Sequence, residues 1–301
     1  MNWKFPALAF LILFFLTAVY AEPQEVKAGI YILNIGDFDV IRGSYTVDFY
    51  LNLSCDTPCE PGNFEFLNGR PETIEKIIDT PTNEFYRVQG KFLSNLDLKN
   101  FPFDSHSLAI KLEDKTNARD KIIYVPDKKQ SGIDPAVNFV GWSISGFNAE
   151  ERVHDYSVYN ERFSRLVFSI NIERIATSSF VKILLPILLI LLISFLALLI
   201  PFSDIFHLTN RFYINLSAFL AAVFFHTSIA SSIPAVGYFT LADKIMIAAY
   251  LSLGINMLFT ALMFGFERQK SYDKSEKLFR QAMYSVPMLT LLFLFIAFAL
   301  R

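Results

Sequence analysis

The side chains able to do bond-making chemistry are few in this chain and poorly placed for it. The four histidines, His106, His154, His207 and His226, are scattered, and no nucleophile–base triad, phosphate loop or metal-ligand spacing accompanies any of them. The two cysteines, Cys55 and Cys59, flank Pro58. In an exported domain that spacing predicts a local disulfide, and with no neighbouring histidine it completes no metal site. No enzyme activity, cofactor or metal is expected. What the spacing does support is the handling of water. Between Arg211 and Ser232 stand Tyr213, Asn215, Ser217, His226, Thr227, Ser228, Ser231 and Ser232, in an otherwise apolar stretch. Steps of four and three along one helical face collect Tyr213, Ser217, Leu220, Phe224, Thr227 (or Ser228) and Ser231, with hydroxyls at both ends and hydrophobic bulk between. Polar groups facing hydrocarbon are costly, so such a stripe faces protein or water. Two readings stay open. One is a water-filled conduit made from several copies and closed at Leu220 and Phe224 by exclusion of water. The other is a helix interface held by Ser and Thr hydrogen bonds.

Either reading needs a membrane-spanning scaffold, and the composition supplies one. The chain has 301 residues, 53% hydrophobic and 19% charged, with 32 Phe. Soluble domains run nearer 45–50% apolar and about 25% charged. Charge is also unevenly divided. Residues 22–174 carry 24 Asp and Glu against 17 Lys and Arg, a net of −7, whereas residues 175–301 hold only 14 charged side chains. This balance excludes a disordered chain, a nucleic-acid binder held by a basic surface and a wholly cytosolic enzyme. Residues 1–21 read as a secretory signal, with Lys4, an apolar run from Phe5 to Val19, and Val19-Tyr20-Ala21 before Glu22. Uncharged stretches at 183–203, 212–242, 245–266 and 281–300 are each long enough to cross a hydrocarbon core of about 30 Å. Pro234 and Gly237 divide the longest, placing a helix over 211–232. Glu267 to Arg280 holds five Lys or Arg against three acids, so this segment is cytoplasmic and the acidic half and C-terminus lie outside.

The acidic half alternates with period 2. Tyr45, Val47, Phe49, Leu51 and Leu53 alternate with polar neighbours, as do Leu108, Ile110 and Leu112, and Leu166, Phe168, Ile170 and Ile172. Such runs between Gly, Pro, Asn and Asp turns predict an antiparallel β-sandwich. The fold class is therefore α+β, with an exterior sandwich over 22–173 followed by a four-helix membrane domain over 174–301.

Phe101-Pro102-Phe103-Asp104, Arg174 twelve residues before Pro186, Arg211 at the head of the polar helix, Pro234 just past its end, and Gly141-Trp142 followed by Gly146-Phe147 occur in the order of one family. With them the chain resembles the prokaryotic pentameric ligand-gated ion channels over essentially its whole mature length. The resemblance implies a homopentamer in the cell membrane, with an unknown small molecule or ion as agonist at subunit boundaries, permeant ions in a central pore, and lipid around it. It implies that the stripe lines the pore and that Asp37, Asp39, Asp104, Arg174 and Pro234 couple the sandwich to the pore helices. For Asp104 and Arg174 there is a physical ground as well, because opposite charges half shielded from water at the membrane surface attract strongly. Trp142, Tyr156 and Tyr159 are the candidate agonist-binding aromatics. Trp142 reads better as core, and no complete aromatic box for an amine is present. Thr209-Asn210-Arg211 lacks a mouth glutamate, while the acidic exterior favours cations. A non-conducting receptor or scaffold of the same fold is the alternative, supported by the bulk of Tyr213 and Phe224.

Overall fold

A computed structural model describes residues 22–201 and 204–300; the expected signal segment lies outside them. Ten strands come first: β1 (Gln24–Asp39), β2 (Ser44–Ser54), β3 (Phe64–Phe66), β4 (Gly69–Thr80), β5 (Asn83–Leu93), β6 (Ser105–Asp114), β7 (Ile122–Pro126), β8 (Gly132–Ile133), β9 (Trp142–Tyr156) and β10 (Glu161–Arg174). One sheet runs β4-β5-β2-β1-β7, with β8 beside β1, and the other β3-β6-β10-β9. The pairing is antiparallel except that β7 and β8 lie parallel to β1. The alternating side chains meet between the sheets: Tyr45, Phe49, Leu51, Leu53, Leu108, Ile110, Leu112, Phe168 and Ile170 are all completely buried. A disulfide joins Cys55 to Cys59.

Four helices follow: α1 (Ala176–Leu198), α2 (Ile205–Ala230), α3 (Leu241–Arg268) and α4 (Tyr272–Ala299), each long and apolar enough to cross a bilayer. The chain is a membrane protein. Several boundaries differ from the sequence expectation. The polar helix begins at Ile205 rather than 211, because Asp204 caps it by accepting the His207 N–H at 2.8 Å. It ends at Ala230, two residues early. The first span starts at Ala176 rather than 183, and the basic segment Glu267–Arg280 is almost entirely helical, with a break only at 269–271. Hydropathy marks where the bilayer core lies, whereas caps set where a helix begins and i,i+4 pairs such as Glu276–Arg280 support helix beyond the apolar stretch.

Ala218 and Ala222 of α2 and Leu241, Ile245, Met246 and Ala249 of α3 belong to one buried cluster. Small side chains permit close approach. Leu188, Leu189, Leu192 and Leu196 of α1 and Met288, Leu291 and Phe295 of α4 stay exposed, as faces turned to lipid would.

Candidate functional site

Two faces of α2 divide its polar residues. Leu208, Arg211, Asn215, Ala218, Ala222 and Ile229 are buried against the bundle. Tyr213, Ser217, Leu220, Phe224, Thr227 and Ser231 lie together on the other side and are all exposed in the single subunit, with Phe224 at 73%. The Thr227 hydroxyl donates to the Phe224 carbonyl at 2.7 Å and that of Ser231 to the Ser228 carbonyl at 2.8 Å. Their lone pairs remain free to accept from water.

The remaining polar groups of α2 do different work. Ser194 Oγ donates to Asn215 Oδ1 at 2.6 Å, and Asn256 Nδ2 donates to the Ser194 carbonyl at 2.8 Å and to Asn215 Oδ1 at 3.0 Å. This clamp ties α1, α2 and α3 together at residues that are fully or almost fully buried. His226 bridges α2 to α3, with Nδ1 3.0 Å from Tyr250 Oη and Nε2 3.1 Å from Asp243 Oδ1. Arg211 does not reach the exposed face of α2. It is completely buried, with Nη1 3.9 Å from Met263 Sδ and its guanidinium 5.6 Å from the Phe279 ring centroid.

A second cluster sits where the sandwich meets the helices. Asp104, whose side chain is fully buried, accepts from Arg174 Nε at 2.6 Å and Nη2 at 3.0 Å. His106 Nε2 lies 2.6 Å from the second Asp104 oxygen. Burial alone would raise the Asp104 carboxyl, but the hydrogen bonds from His106 and Arg174 outweigh it and hold the group at about 2. The guanidinium of Arg174 lies 4.3 Å from the Trp142 ring centroid and 5.1 Å from that of Phe101, so two rings and a carboxylate fix it. The loop carrying Phe101-Pro102-Phe103-Asp104 then seats on α3. The Leu241 and Ala242 N–H groups donate to the carbonyls of Lys99 and Phe101 at 2.8 and 2.9 Å, satisfying donors that the first helical turn leaves open. The Thr240–Asp243 capping box completes that end.

The acidic turn of β1 reaches this cluster differently from expectation. Phe38 packs on Trp142 and His106 at centroid distances of 5.2 and 6.3 Å. Asp37 stays exposed at a φ of 44°, and Asp39 accepts from the Arg42 N–H at 3.0 Å. Neither acid bonds to Arg174. Pro234 lies in the α2–α3 connection beside Tyr238 and Phe239.

The three aromatics expected around an agonist do not share a site. Trp142 is core, packed on the Arg174 guanidinium at one end of β9. Tyr156 and Tyr159 stand at the other end, in the β9–β10 hairpin tip, roughly 45 Å away at about 3.3 Å per residue. Around Tyr156 a different set assembles. Arg165 Nη2 donates to Tyr156 Oη at 3.1 Å and Arg165 Nε to Glu113 Oε2 at 2.8 Å, while His154 and Phe163 pack edge-on to the Tyr156 ring. Burial, then the Glu113 carboxylate, pushes the Tyr156 phenol up. Tyr159 is exposed. The period-2 pattern already aligned Arg165 with the outward face of β10. Its partner Glu113 is 52 residues away and carried no local signal.

Among known proteins, the chain is 25% identical over 256 residues to a proton-gated ion channel of Gloeobacter violaceus, covering 76% of this chain and 70% of that one. No family model matches the chain. The resemblance to ligand-gated ion channels read from the motifs is borne out by that similarity.

Proposed function

We propose that five copies of this chain form a ligand-gated ion channel of the cell membrane, with the sandwich and the C-terminus outside. The pore is lined by Tyr213, Ser217, Leu220, Phe224, Thr227 and Ser231 and passes small ions, cations in preference. The observation that carries this reading is the division of α2: its buried face meets the needs of the bundle, and its hydroxyl-bearing face is left exposed. Rings of Leu220 and Phe224 would shut such a pore by dewetting. The exposed edge strand β4, with Ile74, Ile77 and Ile78 open to solvent, supports association between copies, because unpaired apolar edges are otherwise a hazard.

Asp104, Arg174 and Pro234 act at the joint between sandwich and helices, with the Phe38 turn that carries Asp37 and Asp39 pressed against it. Movement of the sandwich reaches α3 through the Lys99 and Phe101 carbonyls and from α3 passes to the pore helix. The agonist site is assigned to the Tyr156 end of the hairpin, with Tyr159 as the capping ring. Protons are the first agonist to try, given the proton-gated relative.

Planar-bilayer recording with ionic gradients, scanned from pH 8 to pH 4, tests the proposal. Current should rise on acidification or with ligand, and Leu220→Ser should leak without agonist because its constriction is wet. Silence of both wild type and L220S, from protein shown to be assembled, supports the non-conducting receptor instead. The exposed Phe224 and Tyr213 rings are the features that favour that second reading.

A further inference from the structure

A cavity of about 460 Å³ opens between the base of the sandwich, the start of α1 and the outer part of α2. Its wall carries Arg174, Trp142, Ser178, Lys182, Phe225 and Ser228. The two cations differ. Arg174 is already matched by Asp104 through two hydrogen bonds. Lys182 is the single charge of α1, and no carboxylate pairs with it among the described residues. No acid lines the cavity, and Ser178, Ser179, Ser228 and Ser232 share its lining with Lys182. Phe38, Phe101, Ile183 and Ile229 supply apolar lining, and Phe180, Val181 and Leu185, in the turns around Lys182, remain exposed along the same stretch of helix. That stretch, Phe180–Leu184, is π-helical, a local irregularity frequent at functional sites. The volume falls within the range of small-ligand pockets.

We propose that this cavity binds a monoanionic amphiphile, a carboxylate or phosphate head with an apolar tail. The head is held by Lys182 and the hydroxyls of Ser178 and Ser228, and the tail runs out over Phe180 and Val181 into the outer leaflet. An ammonium at a membrane surface attracts anionic heads, and in a half-dry cavity with no competing acid that attraction is local to one site. The occupant touches the sandwich base, α1 and the pore helix at once. The binding claim rests on the membrane placement of these helices and not on conduction.

Trp142 supplies the readout, because it lines the cavity. The protein, with Trp3→Phe so that no second tryptophan contributes even where the expected signal segment is retained, is reconstituted in phosphatidylcholine vesicles and titrated with 9,10-dibromostearate, whose bromines quench indole on contact. Quenching should saturate, and Lys182→Gln should raise the half-quenching concentration about fivefold. The uncharged methyl ester should show the same loss. Ser178→Phe, which fills the cavity without touching the ammonium, should abolish the saturable component in protein that still assembles as wild type does. Adding phosphatidylglycerol separates the two sources of the head: displacement assigns it to lipid phosphate and no displacement to a free carboxylate, and each supports the site. Equal quenching by acid and ester in wild type and K182Q would mean simple partition into the bilayer and would overturn the proposal. So would the absence of quenching in assembled protein, which would mean that a neighbouring copy fills the cavity. Fluorescence needs no current, so the binding result can be read even from a silent channel.

Discussion

At the scale of single residues, the Asp104–Arg174 pair shows how far a side chain's burial governs what it can do. Asp104 is fully buried and accepts from both Arg174 and His106, so truncating the arginine would leave a charge in a dry site, at a cost of about 3–5 kcal/mol. The same contacts hold the carboxyl at about 2. A carboxyl depressed from near 4 to about 2 contributes on the order of 2–3 kcal/mol of stability, fully present above about pH 4 and lost as pH falls through about 2. Asp104 therefore stays ionised throughout the mildly acidic range in which a proton-gated channel would open, so its own titration cannot report such a signal. In detergent, the stability gap between wild type and Asp104→Asn should stay constant from pH 7 to pH 5 and shrink toward pH 2. A gap that does not change with pH contradicts the assignment. The sequence made Asp104 and Arg174 legible through motif and spacing. It left His106 unread, because a histidine two residues along a strand from an aspartate is ordinary until the turn at Asp104 brings both onto one carboxylate.

At the scale of elements, α2 is held in the bundle by hydrogen bonds as well as by fit. Asn256 reaches Ser194 and Asn215 across three helices, and apolar packing alone would let those helices slide in lipid. Asn256→Leu keeps the volume and removes the donors. It should cost about 1 kcal/mol, a fall of roughly 2–4 °C in the Tm of detergent-solubilised protein. An unchanged or raised Tm would show that the clamp fixes register without adding stability. Asn215 counted among the polar residues that marked α2 as unusual, yet it faces the bundle, as His226 partly does. Period alone separated them from the stripe, which is why the six stripe residues were legible and the clamp was not. The start of α2 was also written in the chain. Asp204 three residues ahead of His207 is a capping signal, hidden by the first basic residue, Arg211, which is buried and does not open the helix. The seating of Lys99 and Phe101 carbonyls on α3 left no trace in side-chain pattern, because backbone groups make it.

At the scale of the whole molecule, a sandwich with its own core stands on a helical domain whose most polar span leaves Tyr213, Ser217, Thr227 and Ser231 exposed in the single subunit. Composition and charge division made that two-part plan readable, since burial of apolar residues and exclusion of charge from lipid act on every position at once. The candidate agonist region was the least readable, because Glu113, Arg165 and Tyr156 come from separate strands and converge only in the folded sheet. The channel reading requires that identical copies of α2 surround water. Single cysteines at Ser217, Leu220, Phe224 and Thr227, probed with a water-soluble, membrane-impermeant thiol reagent in assembled and activated protein, test that requirement without an intermediary. Modification is expected at all four positions on activation, with Ser217 protected at rest by the constriction above it. Cysteines that never react there, while one at exposed Tyr159 does, would mean that this face of α2 never meets water.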